Sequence, residues 1–335
     1  MSVPKLVLES WNRVNKRIDE FCNNSRDDAF VCLFITDVHA SSDRTNIEEV
    51  TNLKELLKLN KVDFLINGGD ISVGLEGNKE LALETVNAYK DAMNFDIPHI
   101  YIKGNHDRNS ELMSNKQFIS AINESVTPYL NDNFKIIYDE VYGGGYGYYV
   151  DTKTSTKIIF LNTSECENSA YEMSDNQLNF VINTLTSAKE KNIILVSHKL
   201  PDEESDWIGD TNNFRGLKIL ELIERDFMNK KSGSYENLSW DFTNAKSTIV
   251  LALAGDAHFN NSTVKNGFVA ACRQGYGGID PISMPKGSTR DEFEFRKQTC
   301  FDILVINKNN QIRLFRVGAG EEKRDIEINY VQHSN

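Results

Sequence analysis

Short apolar runs rich in β-forming residues alternate with longer amphipathic segments along the first third of the chain. Residues 29–36 (AFVCLFIT) indicate a buried strand, residues 46–60 have helical spacing, and residues 62–68 indicate a second strand. The alternation continues through a helix near 77–94 and a strand at 98–104. This pattern favours parallel strands with covering helices, because a right-handed crossover returns each new strand to the same sheet.

The pattern changes in the second third of the chain, where several strands follow one another as in a meander. A helix at 174–190, a buried strand at 192–198 and a helix at 214–230 come next. The last strong signal is a hairpin that turns at 308–310. We therefore predict an α/β protein with two mixed sheets flanked by helices.

The length and the hydrophobic content allow one large core. The chain has 335 residues, of which 40% are hydrophobic, and no stretch rich in proline, glycine or serine divides it. We predict a single domain at 29–320. An amphipathic helix within 1–28 is expected to pack on this domain, and 321–335 are expected to form a C-terminal tail.

Charge and cysteine usage exclude several classes of protein. The formal net charge of −12 disfavours binding to nucleic acid and to anionic membranes. No apolar run reaches the roughly 18 residues of a membrane span, and charges interrupt the first 25 residues, so neither a span nor a signal peptide is predicted. The five cysteines are scattered and include no C-x-x-C pair, which indicates a reducing compartment such as the cytoplasm.

Five of the apolar strands end in side chains that can bind metal ions. The endings, in chain order, are DVH at 37–39, GGD at 68–70, GNHD at 104–107, SH at 197–198 and GDAH at 255–258. Taken singly, most of them are better explained as turns, caps or a hydrogen-bonded core histidine. The carboxyl ends of parallel strands share one edge of a sheet, where such folds place their sites. The five endings together therefore indicate one metal site.

The order D-x-H, G-D, G-N-H-D, H, G-D-x-H resembles the calcineurin-like metallophosphoesterase superfamily over roughly residues 30–317. The resemblance implies a four-layer αββα sandwich with a two-metal centre at the C-terminal strand edge. Carried onto this sequence, it assigns ligands to seven positions: Asp37, His39 and His258 for the first ion, Asn105, His198 and Asp256 for the second, and Asp70 as the bridge between them.

The chemistry of these residue types agrees with that assignment. A carboxylate such as Asp70 can bridge two ions, and mixed nitrogen and oxygen donors suit manganese, our first expectation, or iron, zinc, magnesium and nickel. A water or hydroxide shared by the ions would attack phosphorus, so no protein nucleophile is needed. His106 is suited to protonate the leaving group, Asp107 to fix the tautomer of that histidine, and Arg108 to contact phosphate.

Asp256 departs from the family pattern, which has histidine at this position. Residues 256 and 258 lie on the same side of an extended segment, with Ala257 facing away, so Asp256 can replace the imidazole as a ligand. A carboxylate is a harder donor, which favours Mn²⁺ or Mg²⁺, and Asp256→His is expected to keep both ions and to shift the preference towards Zn²⁺. The alternative is that Asp256 is a turn residue and that the second ion is weakly held.

The function implied by the resemblance is hydrolysis of a phosphomonoester or phosphodiester. The alternatives are a catalytically weak binding or scaffold member of the same fold, against which the intact His106 argues, and a nuclease, which the negative charge disfavours. The segment FRVGAGEE and Asp256 are similar to members from Gram-positive bacteria and their phages. Attachment to a virion is therefore expected if the gene belongs to a phage.

Overall fold

The computed structural model describes most of the chain. Described are residues 3, 5–41, 47–72, 74, 77–93, 95–108, 114–139, 144–164, 172–201, 214–256, 260–273, 300–318 and 321–328. His258, a predicted ligand, lies outside the described residues, and of Arg108 only the backbone is described.

The described residues form six α-helices, several of which begin at a side-chain cap. Asn78 Oδ1 accepts a hydrogen bond from Leu81 N at 2.9 Å, and Ser174 Oγ accepts one from Gln177 N at 3.3 Å. Of the helices that the structure describes, none combines the length and the apolar composition needed to cross a bilayer. The helices are α1 (Lys5–Phe21), α2 (Ile47–Leu57), α3 (Lys79–Ala92), α4 (Asn115–Val126), α5 (Asp175–Ser187) and α6 (Arg215–Met228).

The strands of the described residues form two large mixed sheets and a small hairpin. The first sheet has the order β15-β14-β13-β1-β2-β3, the second has the order β11-β12-β10-β7-β6-β5-β4, and β8 pairs only with β9. The strands are β1 (Phe30–Ile35), β2 (Phe64–Asn67), β3 (His99–Tyr101), β4 (Phe134–Asp139), β5 (Gly144–Asp151), β6 (Thr156–Phe160), β7 (Asn192–Val196), β8 (Ser232–Tyr235), β9 (Leu238–Asp241), β10 (Thr248–Ala254), β11 (Asn261–Lys265), β12 (Phe268–Cys272), β13 (Cys300–Ile306), β14 (Ile312–Gly318) and β15 (Ile326–Ile328).

The strands that carry the predicted motifs are parallel to one another within each sheet. β1 is parallel to β2, and β2 is parallel to β3, as the alternation of strands and helices predicts. In the second sheet, β10 is parallel to β7 and to β12, and β6 is parallel to β7. The carboxyl ends of the motif-bearing strands therefore lie together at one edge of each sheet.

The sheets pack face to face and the helices cover their outer faces. Ile158 and Phe160 of β6 belong to the core that contains the first sheet and residues of α1 to α4. Ile159, which points the other way, belongs to a second core with α5 and α6. The Phe160 ring stacks on the ring of Phe64 from β2, with centroids 5.7 Å apart. These layers confirm the predicted sandwich of two mixed sheets between helices.

A buried group of charges joins the two sheets. Arg273, the residue after β12, donates from Nε to Asp302 Oδ2 at 2.9 Å, and Arg316 Nε lies 3.2 Å from Asp302 Oδ1. Asp302 and Arg316 are paired residues of β13 and β14 in the first sheet. Because charges buried in this way are stable only when they are paired and hydrogen-bonded, the group fixes the position of one sheet against the other.

The N-terminal helix packs on the C-terminal part of the first sheet. Trp11 of α1 is buried and its ring contacts Phe301 at a centroid distance of 6.0 Å. Arg13 forms an ion pair with Glu321 at 2.8 Å, and Arg17 pairs with Asp325. Both ends of the described chain therefore stabilise the same side of the sandwich.

Candidate metal centre

Loops at the carboxyl ends of β1, β2, β3, β7 and β10 converge at one edge of the sandwich. The predicted site residues that the structure describes with their side chains are all carried by these loops: Asp37, His39, Asp70, Asn105, His106, Asp107, His198 and Asp256.

Three of these residues form a partly exposed group, which we call the outer cluster: His39, Asp70 and His106. Their potential ligand atoms lie within 4.8 Å of one another. His39 Nε2 is 3.8 Å and His106 Nε2 is 4.0 Å from the same oxygen, Asp70 Oδ2. The two imidazole rings meet edge to face at a centroid distance of 4.8 Å. The side chain of His106 is 41% exposed and that of His39 is 13% exposed, so solvent reaches this cluster.

A second group, the inner cluster, is completely buried and consists of Asp37, Asp70 and His198. His198 Nε2 lies 3.3 Å from Asp70 Oδ2 and 3.0 Å from Asn105 Oδ1. The same nitrogen is 3.6 Å from Asp256 Oδ1. Asp70 is thus common to both clusters, and Asn105 and Asp256 border the inner one.

A backbone carbonyl determines the tautomer of His198. Its Nδ1 lies 2.8 Å from Gly68 O. A carbonyl oxygen can only accept a hydrogen bond, so Nδ1 carries the proton and donates it. Nε2 faces the cluster as the nitrogen that a metal ion can bind, the arrangement in which metal-binding histidines are usually held.

The backbone is strained at four of the predicted ligands. A positive φ is uncommon outside glycine and costs about 1–3 kcal/mol, so it persists only where the surroundings impose it. Residues with this conformation concentrate at functional sites. The four ligands are Asp37 (φ 51°), His39 (φ 48°), Asp70 (φ 52°) and Asp256 (φ 68°).

Hydrogen bonds between the loops hold these conformations in place. Asp37 N donates to Gly69 O and His39 N donates to Asp70 O, each at 2.9 Å. Asp256 N donates to Asp37 Oδ1 at 3.1 Å, so the loop after β10 in the second sheet is attached to the loop after β1 in the first. The site is therefore assembled across both sheets.

Two glycines of the motifs are required by close packing. A Cβ atom on Gly104 would overlap the backbone nitrogen and the carboxylate of Asp70. A Cβ atom on Gly255 would overlap the Asp37 carboxylate and the Thr36 hydroxyl. The G-N-H-D and G-D-x-H patterns thus contain glycine because the carboxylates approach the backbone closely there.

Asp107 is buried and connects the second and third motifs. Its Oδ2 accepts a hydrogen bond from Gly104 N and its Oδ1 accepts one from Ser72 N, both at 2.9 Å. His106 N donates in turn to Asp70 Oδ1 at 2.8 Å. Both hydrogen bonds of the Asp107 carboxylate go to backbone amides, so this residue supports the loop that carries His106. Control of the His106 tautomer by Asp107 stays a prediction.

Burial opposes ionisation of two carboxyl groups in the site. Burial raises the pKa of Asp37 to about 7, an effect that the positive charge of His198 reduces and the negative charge of Asp70 reinforces. Burial and the neighbouring charge of Asp70 likewise raise the pKa of Asp107 to about 7. Both carboxyl groups are therefore held less readily in the ionised form than an exposed aspartate.

Asp70 and His198 each favour the charged form of the other. Burial alone would raise the pKa of Asp70, but His198, His39 and His106 together hold it well below its usual range. Burial would lower the pKa of His198, but the charges of Asp70, Asp37 and Asp256 raise it well above the usual value. These carboxylates therefore favour the protonated form of His198, whose Nε2 proton a bound metal ion would replace.

One charged residue of the site was not predicted from the sequence. Lys199 is fully buried, and its Nζ lies 3.1 Å from Asp256 Oδ2. The signal that could have revealed it is the replacement of a neutral histidine by Asp256, because a buried extra carboxylate needs a compensating cation nearby. Lys199 directly follows the motif residue His198.

The donors fit divalent cations. Carboxylate and amide oxygens with imidazole nitrogens suit Mn²⁺, Fe²⁺, Zn²⁺ or Mg²⁺, and none of the five motifs contains a thiol. Burial raises the pKa of Asp37 to about 7, and a divalent ion beside this carboxylate would favour its ionised form. The position of Asp70 in both clusters is what a shared ligand requires.

Comparisons with known proteins agree with this geometry. The sequence profile of the calcineurin-like phosphoesterase family matches residues 30–227, more than half of the chain. A comparison with curated protein sequences found no match. Among solved structures, a dimetal phosphatase from Danio rerio has a TM-score of 0.60 at 13% identity, over 90% of this chain and 99% of that one. A purple acid phosphatase from yellow lupin (Lupinus luteus) seeds has a TM-score of 0.52 at 13% identity, over 89% and 53%.

These structural similarities, at such low identity, show a shared fold and do not identify a substrate. The family assignment comes from the sequence profile, which includes the strand endings from Asp37 to His198. This chain therefore belongs to the calcineurin-like phosphoesterase family and is a metallophosphoesterase.

Proposed function

We propose that this protein hydrolyses a phosphomonoester or a phosphodiester with two divalent metal ions, of which manganese is the first choice. The observation that supports this most directly is the position of Asp70, whose carboxylate belongs to both the outer and the inner cluster. A carboxylate between two groups of ligands is the feature that a two-ion centre needs. Asp70 is therefore the proposed bridging ligand.

The remaining ligands are proposed as the family pattern assigns them. For the second ion, support comes from the 3.0 Å and 3.6 Å distances that separate His198 Nε2 from Asn105 Oδ1 and Asp256 Oδ1. For the first ion, Asp37 and His39 lie beside Asp70, and His258 completes the set from outside the described residues. Three carboxylates and one amide make the centre rich in oxygen, which favours manganese or magnesium over zinc.

Bound divalent ions would activate a water molecule for attack on phosphorus and neutralise charge on the phosphate oxygens. The chain itself supplies the positions of the ligands. The strained conformations at Asp37, His39 and Asp70 and the hydrogen bonds between their loops hold these ligands in defined positions.

His106 is proposed as the general acid that protonates the leaving oxygen. Its side chain is 41% exposed, more than any other side chain in the two clusters, and its Nε2 is 4.0 Å from Asp70 Oδ2. Its backbone nitrogen is held by Asp70 Oδ1, so the ring is presented at the open side of the site. A ligand role for His106 is the alternative, because its Nε2 belongs to the outer cluster. The greater exposure favours the acid role, since that group must reach the substrate.

The substrate is proposed only by its chemical class. The net charge of −12 disfavours nucleic acid, so a small phosphate ester is preferred over a nuclease substrate. A cytoplasmic location stays a prediction based on the scattered cysteines, and attachment to a virion stays a prediction based on sequence resemblance.

Hydrolysis of p-nitrophenyl phosphate and of bis-p-nitrophenyl phosphate by protein loaded with Mn²⁺, Zn²⁺ or Mg²⁺ tests this function. Metal analysis should give close to two ions per chain, and the preferred ester identifies the monoester or the diester class. Asp63→Asn is a matched control for Asp70→Asn, because the two carboxylates flank opposite ends of β2 and Asp63 pairs with Lys153 away from the site. A wild-type protein that binds no metal and hydrolyses neither ester would contradict the proposal.

A further inference from the structure

The side chain of Lys199 is completely buried at the edge of the candidate centre. Its ammonium is at hydrogen-bond distance from Asp256 Oδ2, 3.1 Å. Lysine is almost never fully buried unless its charge is paired, because removing an ammonium from water costs several kcal/mol. The ion pair with Asp256 helps to compensate the burial of this charge.

Backbone contacts fix the position of Lys199. Its backbone nitrogen donates to Thr163 Oγ1 at 3.2 Å, and its carbonyl accepts from Ser197 Oγ at 2.7 Å. Thr163 lies in the loop after β6, the neighbour of β7 in the second sheet. Two adjacent strand ends therefore hold the lysine in place next to the inner cluster.

The two oxygens of Asp256 have different surroundings. Oδ2 faces the Lys199 ammonium, whereas Oδ1 lies 3.6 Å from His198 Nε2, the nitrogen that points into the inner cluster. The backbone nitrogen of Asp256 is also held, by Asp37 Oδ1. Lys199 thus engages one oxygen and leaves the other directed towards the cluster.

The charge of the centre depends on this pair. With Asp37, Asp70 and Asp256 as ligands the protein brings three negative charges to the ions, one more than with a histidine at position 256. The ammonium of Lys199 cancels the additional charge. Building on the function proposed above, we propose that Lys199 is a positioning residue that neutralises Asp256 and directs its Oδ1 to the second ion. The Lys199–Asp256 pair then takes the place of a single neutral imidazole.

The sequence alone predicts that Asp256→His keeps both ions. The Lys199–Asp256 pair predicts instead that this substitution weakens binding of the second ion. The substitution would supply a ligand but leave the Lys199 ammonium buried without its carboxylate and close to a divalent ion. Repulsion between the Lys199 ammonium and the second ion should lower the affinity for that ion by roughly 10²-fold or more. Removing the ammonium as well, in the K199M/D256H double variant, should restore that affinity to within about tenfold of wild type.

Manganese titration calorimetry and metal analysis on four proteins test the proposal: wild type, D256H, K199M/D256H and K103M/D256H. Lys103 is the matched control, because it is another buried lysine at this edge and its ammonium donates to Ser164 O at 3.2 Å. Two ions are expected in wild type and in K199M/D256H, and one tightly bound ion in the other two variants. Thermal unfolding of each metal-free protein shows whether it is folded.

The outcomes separate this inference from the proposed function. If D256H keeps wild-type affinity for both ions, or if K199M/D256H binds no better than D256H, the inference is wrong. If D256H fails to fold, the double variant must fold and bind two ions, and its failure to do so also overturns the inference. A wild-type protein without bound manganese would instead contradict the proposed function itself.

Discussion

The outer and inner clusters of the candidate centre share Asp70 but differ in their access to solvent. In the outer cluster His106 is 41% exposed and His39 is 13% exposed. In the inner cluster Asp37 and His198 are buried, as is Lys199 beside it, and the side chain of Asp256 is 5% exposed. The residues of the outer cluster follow strands of the first sheet alone, whereas the residues of the inner cluster follow strands of both sheets.

This difference in exposure indicates that the two clusters have different roles. A group that exchanges a proton with a substrate must be reachable, which suits the outer cluster. Buried ligands in a medium of low dielectric constant hold a cation strongly, and their own charges are costly without it. We therefore expect substitution of the exposed His106 to affect chemistry, and substitution of the buried ligands in the inner cluster to affect metal retention and stability.

The largest effect is expected at the residue that the clusters share. Asp70→Asn removes a charge from both clusters, and it should lower kcat/KM by at least about 10³-fold and reduce the metal content well below two ions. Metal analysis and ester hydrolysis measure this, with Asp63→Asn as the control at the other end of β2. If Asp70→Asn keeps two ions, the clusters do not share a ligand.

The next largest effect is expected in the inner cluster. His198→Ala should weaken one of the two ions by on the order of 10²-fold and lower the thermal stability of the metal-loaded protein. His99→Ala is the control, since His99 is equally buried but hydrogen-bonds to Ile97 O at 2.9 Å in the first sheet. The control should destabilise the protein without changing metal content. Equal metal loss in both variants would show that disturbed packing, and not the loss of a ligand, releases the metal.

A smaller and more selective effect is expected in the outer cluster. His106→Asn should slow hydrolysis of alkyl phosphate esters by roughly 10²-fold, but hydrolysis of p-nitrophenyl esters by about tenfold or less, because a good leaving group needs little protonation. Metal content should stay near two ions per chain. Loss of an ion would assign His106 to the ligands, and equal rate losses on both esters would remove its role as an acid.

The smallest effect is expected from the supporting residue Asp107. Because burial raises its pKa to about 7 in the folded protein, Asp107 contributes stability that is fully present below about pH 4 and is lost as the pH rises through 7. Asp107→Asn should therefore make the stability of the metal-free protein fall less steeply between pH 4 and 7. Urea unfolding at several pH values measures the slope. An unchanged slope would show that Asp107 does not gain protons on folding.

Much of the fold could be predicted because buried strands and amphipathic helices leave strong local signals. The strand expected at 192–198 is β7, and the helix expected at 214–230 is α6. The small hairpin β8–β9 was not predicted, since β8 has no buried residue and leaves no apolar signal. Helix α4 was also not predicted, although Phe118 and Ile122 are spaced by one turn and are buried.

The residues of the candidate centre could be identified because they follow the strands that form it. What the sequence could not provide is which loops meet between the two sheets. The contact of Asp256 N with Asp37 and the ion pair of Lys199 with Asp256 depend on the packing of one sheet against the other. The same limit applies to Asp107, whose partner Ser72 belongs to a different loop.

The central position of β1 in the first sheet makes that sheet depend on strands from both ends of the chain. Phe30, at the start of β1, pairs with Ile306 in β13. A strand that is synthesised early therefore cannot complete its pairing until one of the last strands has been synthesised. Until then the β13-facing edge of β1 is an open apolar strand, which can pair with other nascent chains. Contacts this distant in sequence form slowly. We therefore expect the first sheet to be completed late in folding, and chaperones that protect β1 to raise the yield of folded protein.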